Sequence, residues 1–342
     1  MRAKGMTYDT GFVYQGSISR ERFDPEVIRR ELAIIRDDLH CNAVQLIGGV
    51  PERLEQAGGY AAELGLEVWF SPYPLQLTEA EILPLFTECA EGAERLRQAG
   101  AEVVFVAGVE LSIMNRGFMP GGTLDERLGL LLNLPPDGRR ERLAEVSAGL
   151  NEFLGQAVSP VRERFRGKIT YASIPPERVD WAPFDIVSVE LIRSAEVAAQ
   201  FRAGVRTLVA GGKPVAITGF GAATYRGAGD RGGRAMEIVE SDQDTGAPVR
   251  LDAAYVRDEA GQATYLRELL GIFDTEGVDS TFVFIFALDS YPHRPGGDPR
   301  YDLDLASPGI VKILESGHGH AYPDMAWEPK AAFATIAECY GR

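Results

Sequence analysis

Three acidic residues stand at the ends of apolar runs. Glu110 closes Val103-Val104-Phe105-Val106-Ala107-Gly108-Val109, Glu190 follows Ile186-Val187-Ser188-Val189, and Asp289 follows Phe284-Ile285-Phe286-Ala287-Leu288. A carboxyl at the end of a buried run is desolvated, which raises its pKa toward the range a general acid needs. Two such groups in different surroundings can divide acid and base work on one substrate. Glu110 is the first candidate for the acid, against the plainer reading of a rim ion pair with Arg116 or Arg193. Glu190 and Asp289 each read as the second catalytic carboxylate, a substrate-hydroxyl acceptor or half of a salt bridge.

Other residues suit substrate binding. Tyr8, Tyr171 and Tyr225, with Tyr73, Trp181 and Tyr291, offer faces that stack on a sugar ring or a polycyclic metabolite. Asp9 can hold hydroxyls, Arg193 lies just beyond Glu190, and His293 sits in Tyr291-Pro292-His293-Arg294-Pro295. The stretch Tyr225–Arg234 carries Arg226, Arg231 and Arg234 among glycines, a composition that can close on an anionic group. It lacks the Lys-Ser/Thr ending of a nucleotide P-loop. His318-Gly319-His320 has neither a helix nor a third ligand, so no metal and no cofactor are expected.

Positioning these groups requires a repeating scaffold. Eight runs read as strands: Met6–Val13, Ala43–Ile47, Glu67–Tyr73, Val103–Val109, Lys168–Ala172, Asp185–Leu191, Pro214–Phe220 and Thr281–Ala287. Between them lie amphipathic stretches such as Asp24–Leu39, where Ile28, Leu32, Ile35 and Leu39 recur at helical spacing behind Asp24-Pro25 as cap and first turn. Glycines end several helices just before the next strand, as in Leu64-Gly65-Leu66-Glu67 and Ala99-Gly100-Ala101-Glu102. The opposite connections are long after strands four, seven and eight: Leu111–Arg139, Ala222–Val256 and Leu288–Lys330. That asymmetry predicts an α/β fold, a (β/α)8 TIM barrel spanning residues 1–342 as a single domain, with its site at the strand C-termini. An open doubly wound sheet would carry a Gly-rich turn after strand one, which Thr10–Gly16 lacks.

The net charge of −15 argues against a nucleic-acid partner and leaves a small-molecule substrate as the expectation. No apolar run reaches membrane-spanning length, and no apolar stretch follows the basic start, so a cytoplasmic protein is expected. Cys41, Cys89 and Cys339 are far apart and read as reduced. Nothing here fixes the oligomeric state.

The segment Lys213-Pro214-Val215-Ala216-Ile217-Thr218-Gly219-Phe220-Gly221 resembles strand seven of the retaining (β/α)8 glycoside hydrolases, which carries Thr-Glu-Phe-Gly. Trp327-Glu328-Pro329-Lys330-Ala331-Ala332-Phe333 is similar to the segment that opens their last helix. The chain also resembles a group of actinobacterial barrel proteins labelled abortive-infection proteins, through Tyr8–Phe12, Leu39–Val44, Trp69–Pro72 and Trp327–Phe333. The first resemblance implies Glu110 as acid/base, with Val109 where that family has Asn. It also puts Gly219 at the position of the nucleophile, which therefore has no side chain. Three readings stay open: a substitution that silences hydrolysis, a carboxylate from another strand (Glu190 or Asp289) working opposite Glu110 with inversion, or a barrel that has left hydrolysis. The expectation is a glycosidase-like enzyme acting on a glycoside or polyol. The alternatives are a cyclase, lyase or isomerase of secondary metabolism, and a carbohydrate-binding pseudoenzyme.

Overall fold

All eight expected runs form parallel strands, and the first pairs with the last, so the sheet closes on itself in a computed structural model of the chain. They are β1 (Ala3–Gly11), β2 (Ala43–Gly48), β3 (Glu67–Pro72), β4 (Val103–Val109), β5 (Lys168–Ser173), β6 (Val187–Glu190), β7 (Val215–Phe220) and β8 (Ser280–Val283). The structure describes residues 1–14, 16–133, 136–242 and 245–342.

Strand alternation sorts the side chains into two cores. Ala3, Ala43, Trp69, Val104, Val106, Ala172, Ile186, Ala216 and Phe282 fill the barrel interior. Met6, Val44, Leu46, Phe70, Phe105, Ile169 and Ile217 point outward into the larger core beneath the helices. The long helices are α1 (Pro25–Asp37), α2 (Pro51–Glu63), α3 (Glu79–Gln98), α4 (Pro136–Arg164), α5 (Ala198–Val209), α6 (Glu259–Glu276) and α7 (Ala331–Tyr340). Asp24 caps α1 by accepting from the Glu26 amide at 2.9 Å. Ile28, Leu32 and Ile35 are fully buried, worth about 1.5–3 kcal/mol each in transfer free energy.

One unit departs from strict alternation. Between β5 and β6 the chain makes only a single 3-10 turn, Pro175–Glu177. Arg178 ends the turn in the left-handed conformation (φ 48°), which breaks the helical run.

The connections after β7 and β8 are tied together and to α7. Lys330, fully buried, contacts Asp304 and Thr224 at 2.8 Å each. Arg257 bridges Asp302 at 2.9 Å and Asp304 at 2.7 Å. Buried charges are tolerated when paired in this way. The polar stretch Asp242–Ala254, apart from residues 243 and 244, forms a hairpin of Val239–Ser241 with Pro248–Leu251. Among the described residues no helix is long and apolar enough to cross a membrane.

Candidate active site

Glu110 follows β4 through a backbone irregularity. The β4–β5 register slips between Val106 and Val109, and Gly108 adopts φ 90°. A side chain at 108 would collide with Leu111 and Phe86. Glu110 itself has φ 46°, a left-handed conformation uncommon outside glycine and often found where function holds it. Its amide donates to the Ala172 carbonyl at 2.9 Å, and its own carbonyl accepts from Ile113 and Met114 at 3.0 Å each.

A buried carboxylate absent from the sequence reading fastens the next two residues. Glu177, on the 3-10 turn, accepts from Ser112 Oγ at 2.7 Å, the Ser112 amide at 3.2 Å, the Tyr171 hydroxyl at 2.8 Å and the Ile174 amide at 3.1 Å. The Tyr171 hydroxyl in turn accepts from the Leu111 amide at 2.8 Å. Glu110 is thus held by a network that fixes its C-terminal neighbours rather than its own carboxyl.

Glu190 ends β6 at a second register slip, between Val189 and Glu190, and pairs with Gly219 of β7. Slips of this kind re-aim side chains and recur beside active sites. A Cβ built on Gly219 would fall on Oε2 of Glu190 and lie 2.6 Å from its Cδ. The space left by the missing strand-seven side chain is filled by the carboxylate of strand six.

The two glutamates form one electrostatic unit. Burial pushes the Glu110 carboxyl well above the usual range, and the charges of Glu190 and Glu177 add to this. Burial raises Glu190 to about 7, with the nearby Thr218 hydroxyl pulling the other way and Glu177 pushing up. Thr218 Oγ1 makes no full hydrogen bond, so its relief is partial. Neither carboxylate forms an ion pair among the described residues: Arg116 contacts Glu81 at 3.5 Å, and Arg193 contacts Glu268 at 2.7 Å. Tyr73 lies in the same field, its hydroxyl kept protonated by burial and by the charges of Glu110 and Glu190. Like charges in a desolvated site cannot both ionise freely, so the pair titrates together.

Asp289 belongs to a different cluster. It lies 3.4 Å from Arg20, which is buried and bonded to Glu31 at 2.6 Å and to the Tyr8 hydroxyl at 2.6 Å. Burial raises the Asp289 carboxyl to about 6, and Arg20 opposes that rise.

The remaining candidates are engaged in structural contacts. Tyr8 faces outward, packs beneath α1 and bonds Glu31 at 2.5 Å. Tyr171 is likewise fully buried outside the barrel and acts through the Glu110 loop. Asp9 accepts from the Gly11 amide at 2.7 Å and Ser19 Oγ at 2.6 Å. The Arg193 guanidinium lies over the Tyr265 ring, 5.2 Å from its centroid and inside the cation–π range of about 6 Å. The Tyr225 hydroxyl donates to the Ala235 carbonyl at 3.1 Å in a small buried cluster, while Arg226 is exposed. His293 Nδ1 lies 3.0 Å from both Asp302 and Arg257. Phe12, Tyr73, Met236, Phe284 and Tyr291 pack around Ile47, Ile285 and Leu288, an apolar wall contributed by the first, second, third, seventh and eighth units. Among the described residues no group of three His, Cys, Asp or Glu side chains is placed to hold a metal.

Solved structures of glycoside hydrolases share this fold. A GH113 β-1,4-mannanase superposes with a TM-score of 0.61 at 13% identity, covering 99% of this chain and 98% of the other. The GH113 β-mannanase AaManA from Alicyclobacillus acidocaldarius gives 0.57 at 14% identity, covering 99% and 97%. A β-glucuronidase from Ruminococcus gnavus gives 0.54 at 13% identity, with 99% of this chain matching 49% of the longer protein. No family model matches the sequence, and comparison with curated proteins gives no match.

Proposed function

We propose that the chain hydrolyses a β-glycoside, with Glu110 as general acid and Glu190 as general base, and that the sugar inverts at its anomeric carbon. The observation that carries this reading is the coincidence of the Glu190 carboxylate with the place of a Gly219 Cβ. The motive for non-hydrolytic chemistry is the absent nucleophile at Gly219, and the Glu190 carboxylate beside Gly219 supports a base from strand six instead. The mannanase and glucuronidase neighbours favour β-linked glycosides as the substrate class.

The depth of Glu190 favours inversion. A glutamate rooted on β7 would carry its carboxylate beyond its own Cβ, toward the bound sugar. Glu190 instead has its carboxylate at the Cβ position, recessed toward the strand backbone. Retaining enzymes need carboxyls about 5–5.5 Å apart for direct attack, whereas inverting enzymes hold them about 6.5–9.5 Å apart with a water between. A recessed base leaves that room.

In the reaction the bond from the anomeric carbon to the leaving oxygen breaks, and that oxygen takes the Glu110 proton. A water adds to the opposite face of the anomeric carbon and gives its proton to Glu190. The raised Glu110 enters protonated, and Glu190, near 7, is substantially ionised at neutral pH.

The test is hydrolysis of a panel of aryl and alkyl β-glycosides and β-1,4-manno-oligosaccharides. Turnover by the wild type should be lost in Glu110→Gln and in Glu190→Gln. Turnover that survives either change rules out this assignment.

A further inference from the structure

At the C-terminal end of the barrel lies a cavity of about 520 Å3, within the range of about 300–1,000 Å3 typical of small-molecule sites. Its walls come from the connections after the first four strands. Neither Glu110 nor Glu190 lines it, but Tyr73 does, and the same Tyr73 sits in the field of both carboxylates. Tyr73 also packs against the barrel-interior cluster that includes Val109, the residue before Glu110, so this side chain joins the cavity wall to the end of β4.

We propose that this cavity holds the leaving group, and that the leaving group is an apolar aglycone with aliphatic character rather than a further sugar. The proposal rests on the glycosidase reading above.

Position comes from the order of strands around the barrel. Glu190 stands on β6 against β7, while Glu110 stands on β4, and the cavity lies further round, over β3, β2 and β1. The acid must touch the leaving oxygen, so the aglycone departs on the Glu110 side, away from the base. Part of the cavity wall, Arg116, Gly122 and Thr123, belongs to the chain running on from Glu110 itself.

Chemical class comes from which lining groups remain free. Val13, Tyr73, Pro74, Leu75, Leu77 and Leu85 present apolar surface. The polar side chains among them are partly committed, which leaves the Tyr73 hydroxyl and the Gln76 amide nitrogen as the few free groups on a mostly apolar wall. Gln76 Oε1 accepts from Arg127 at 2.6 Å, Arg116 Nε donates to the Gln76 carbonyl at 2.7 Å, and Thr123 Oγ1 accepts from the Glu126 amide at 3.2 Å. A bound sugar would leave its hydroxyls short of partners, a costly outcome for buried polar groups, whereas a hydrocarbon loses nothing. Val13 is 38% exposed and Leu75 half-exposed, with neither in a core cluster, so apolar surface faces solvent until a ligand covers it.

The test separates the cavity from the catalysis. Binding of 1-butanol, 1-hexanol and 1-octanol to the full chain is measured by titration calorimetry or ligand-observed NMR, with no turnover required. Affinity should rise about fourfold per methylene. It should persist in Glu110→Gln and fall at least tenfold in Leu75→Asp, with circular dichroism and melting confirming that the variant is folded. A second variant, Val13→Asp, guards against misfolding of the first.

Chain-length-independent binding, or equal binding by folded Leu75→Asp and Val13→Asp, overturns the proposal. So does protection of these residues by a manno-oligosaccharide but not by octanol. Alkanol binding without hydrolysis of any glycoside would leave the cavity assignment standing and remove the glycosidase reading. Hydrolysis with no preference for octyl over methyl glycosides would do the reverse.

Discussion

The carboxylate of Glu190 occupies the place of a Cβ on Gly219, the residue it pairs with across β6 and β7. Absence on one strand and presence on the next are therefore one feature. Gly219→Ala should force Glu190 aside and cut kcat by about 100-fold, since an ångström of misplacement costs that much in a positioned group. Steady-state kinetics beside a thermal melt will check that the fold survives. An unchanged kcat would mean that Glu190 has no fixed role.

Moving the carboxylate back to strand seven should change the stereochemistry. Gly219→Glu alone places two carboxylates in one space and should lose both stability and activity. The double variant Gly219→Glu, Glu190→Ala should recover activity with retention, because the carboxylate then reaches beyond the Cβ position for direct attack. Analysis of the first-formed anomer in each variant distinguishes the outcomes.

Activity should follow a bell in pH. Its acid limb is the ionisation of Glu190 near pH 7, and its alkaline limb is loss of the Glu110 proton at higher pH. Glu177→Gln removes a negative charge that raises both groups, so both limbs should move to lower pH. The same change loosens Ser112 and Tyr171, so kcat should drop by roughly 10–100-fold with little change in KM. A change in kcat with an unmoved pH profile would leave Glu177 a purely structural role.

Stability gives an independent reading of the buried charge. The Glu190 carboxyl is near 7 in the fold against a usual 4.5, so the folded state holds its proton more tightly than the unfolded chain. The advantage is full below pH 4.5 and is lost as pH rises through 7. Glu190→Gln should therefore melt like the wild type at pH 4 and higher at pH 8, by at most about 3 kcal/mol, since partial exposure screens the charge. Equal melting at both values would contradict a desolvated Glu190.

Asp289 should behave differently from the proposed pair of Glu110 and Glu190. Its partner is Arg20, in a cluster with Glu31 and Tyr8. Asp289→Asn should keep kcat within about fivefold and, because burial outweighs Arg20 and raises the carboxyl to about 6, should melt like the wild type at pH 4 and no lower than it at pH 8. A loss matching that of Glu190→Gln would make Asp289 a third catalytic group.

The eight strands were legible because each is an apolar run long enough to cross the barrel, and Glu110 was legible as the acid that ends one of them. That Glu190 rather than Asp289 lies against Gly219 was not, because it depends on a register slip that turns Glu190 toward β7. Parity explains two misplaced aromatics. Thr170 and Ala172 face inward on β5, so Tyr171 between them must face out, and Tyr8 follows Met6 outward on β1 in the same way. Glu177 was missed because its role comes from a Pro-Pro turn that folds back over the Glu110 loop. Its local signal, an acid after two prolines in a connection too short for a helix, was present in the sequence.

The configuration of the first-formed sugar reports whether Glu190 acts as a base. Proton NMR of the wild-type protein acting on a β-glycoside should show the α-anomer appearing first, with the β-anomer rising only as the sugar mutarotates. The β-anomer appearing first would contradict a recessed Glu190 acting as base.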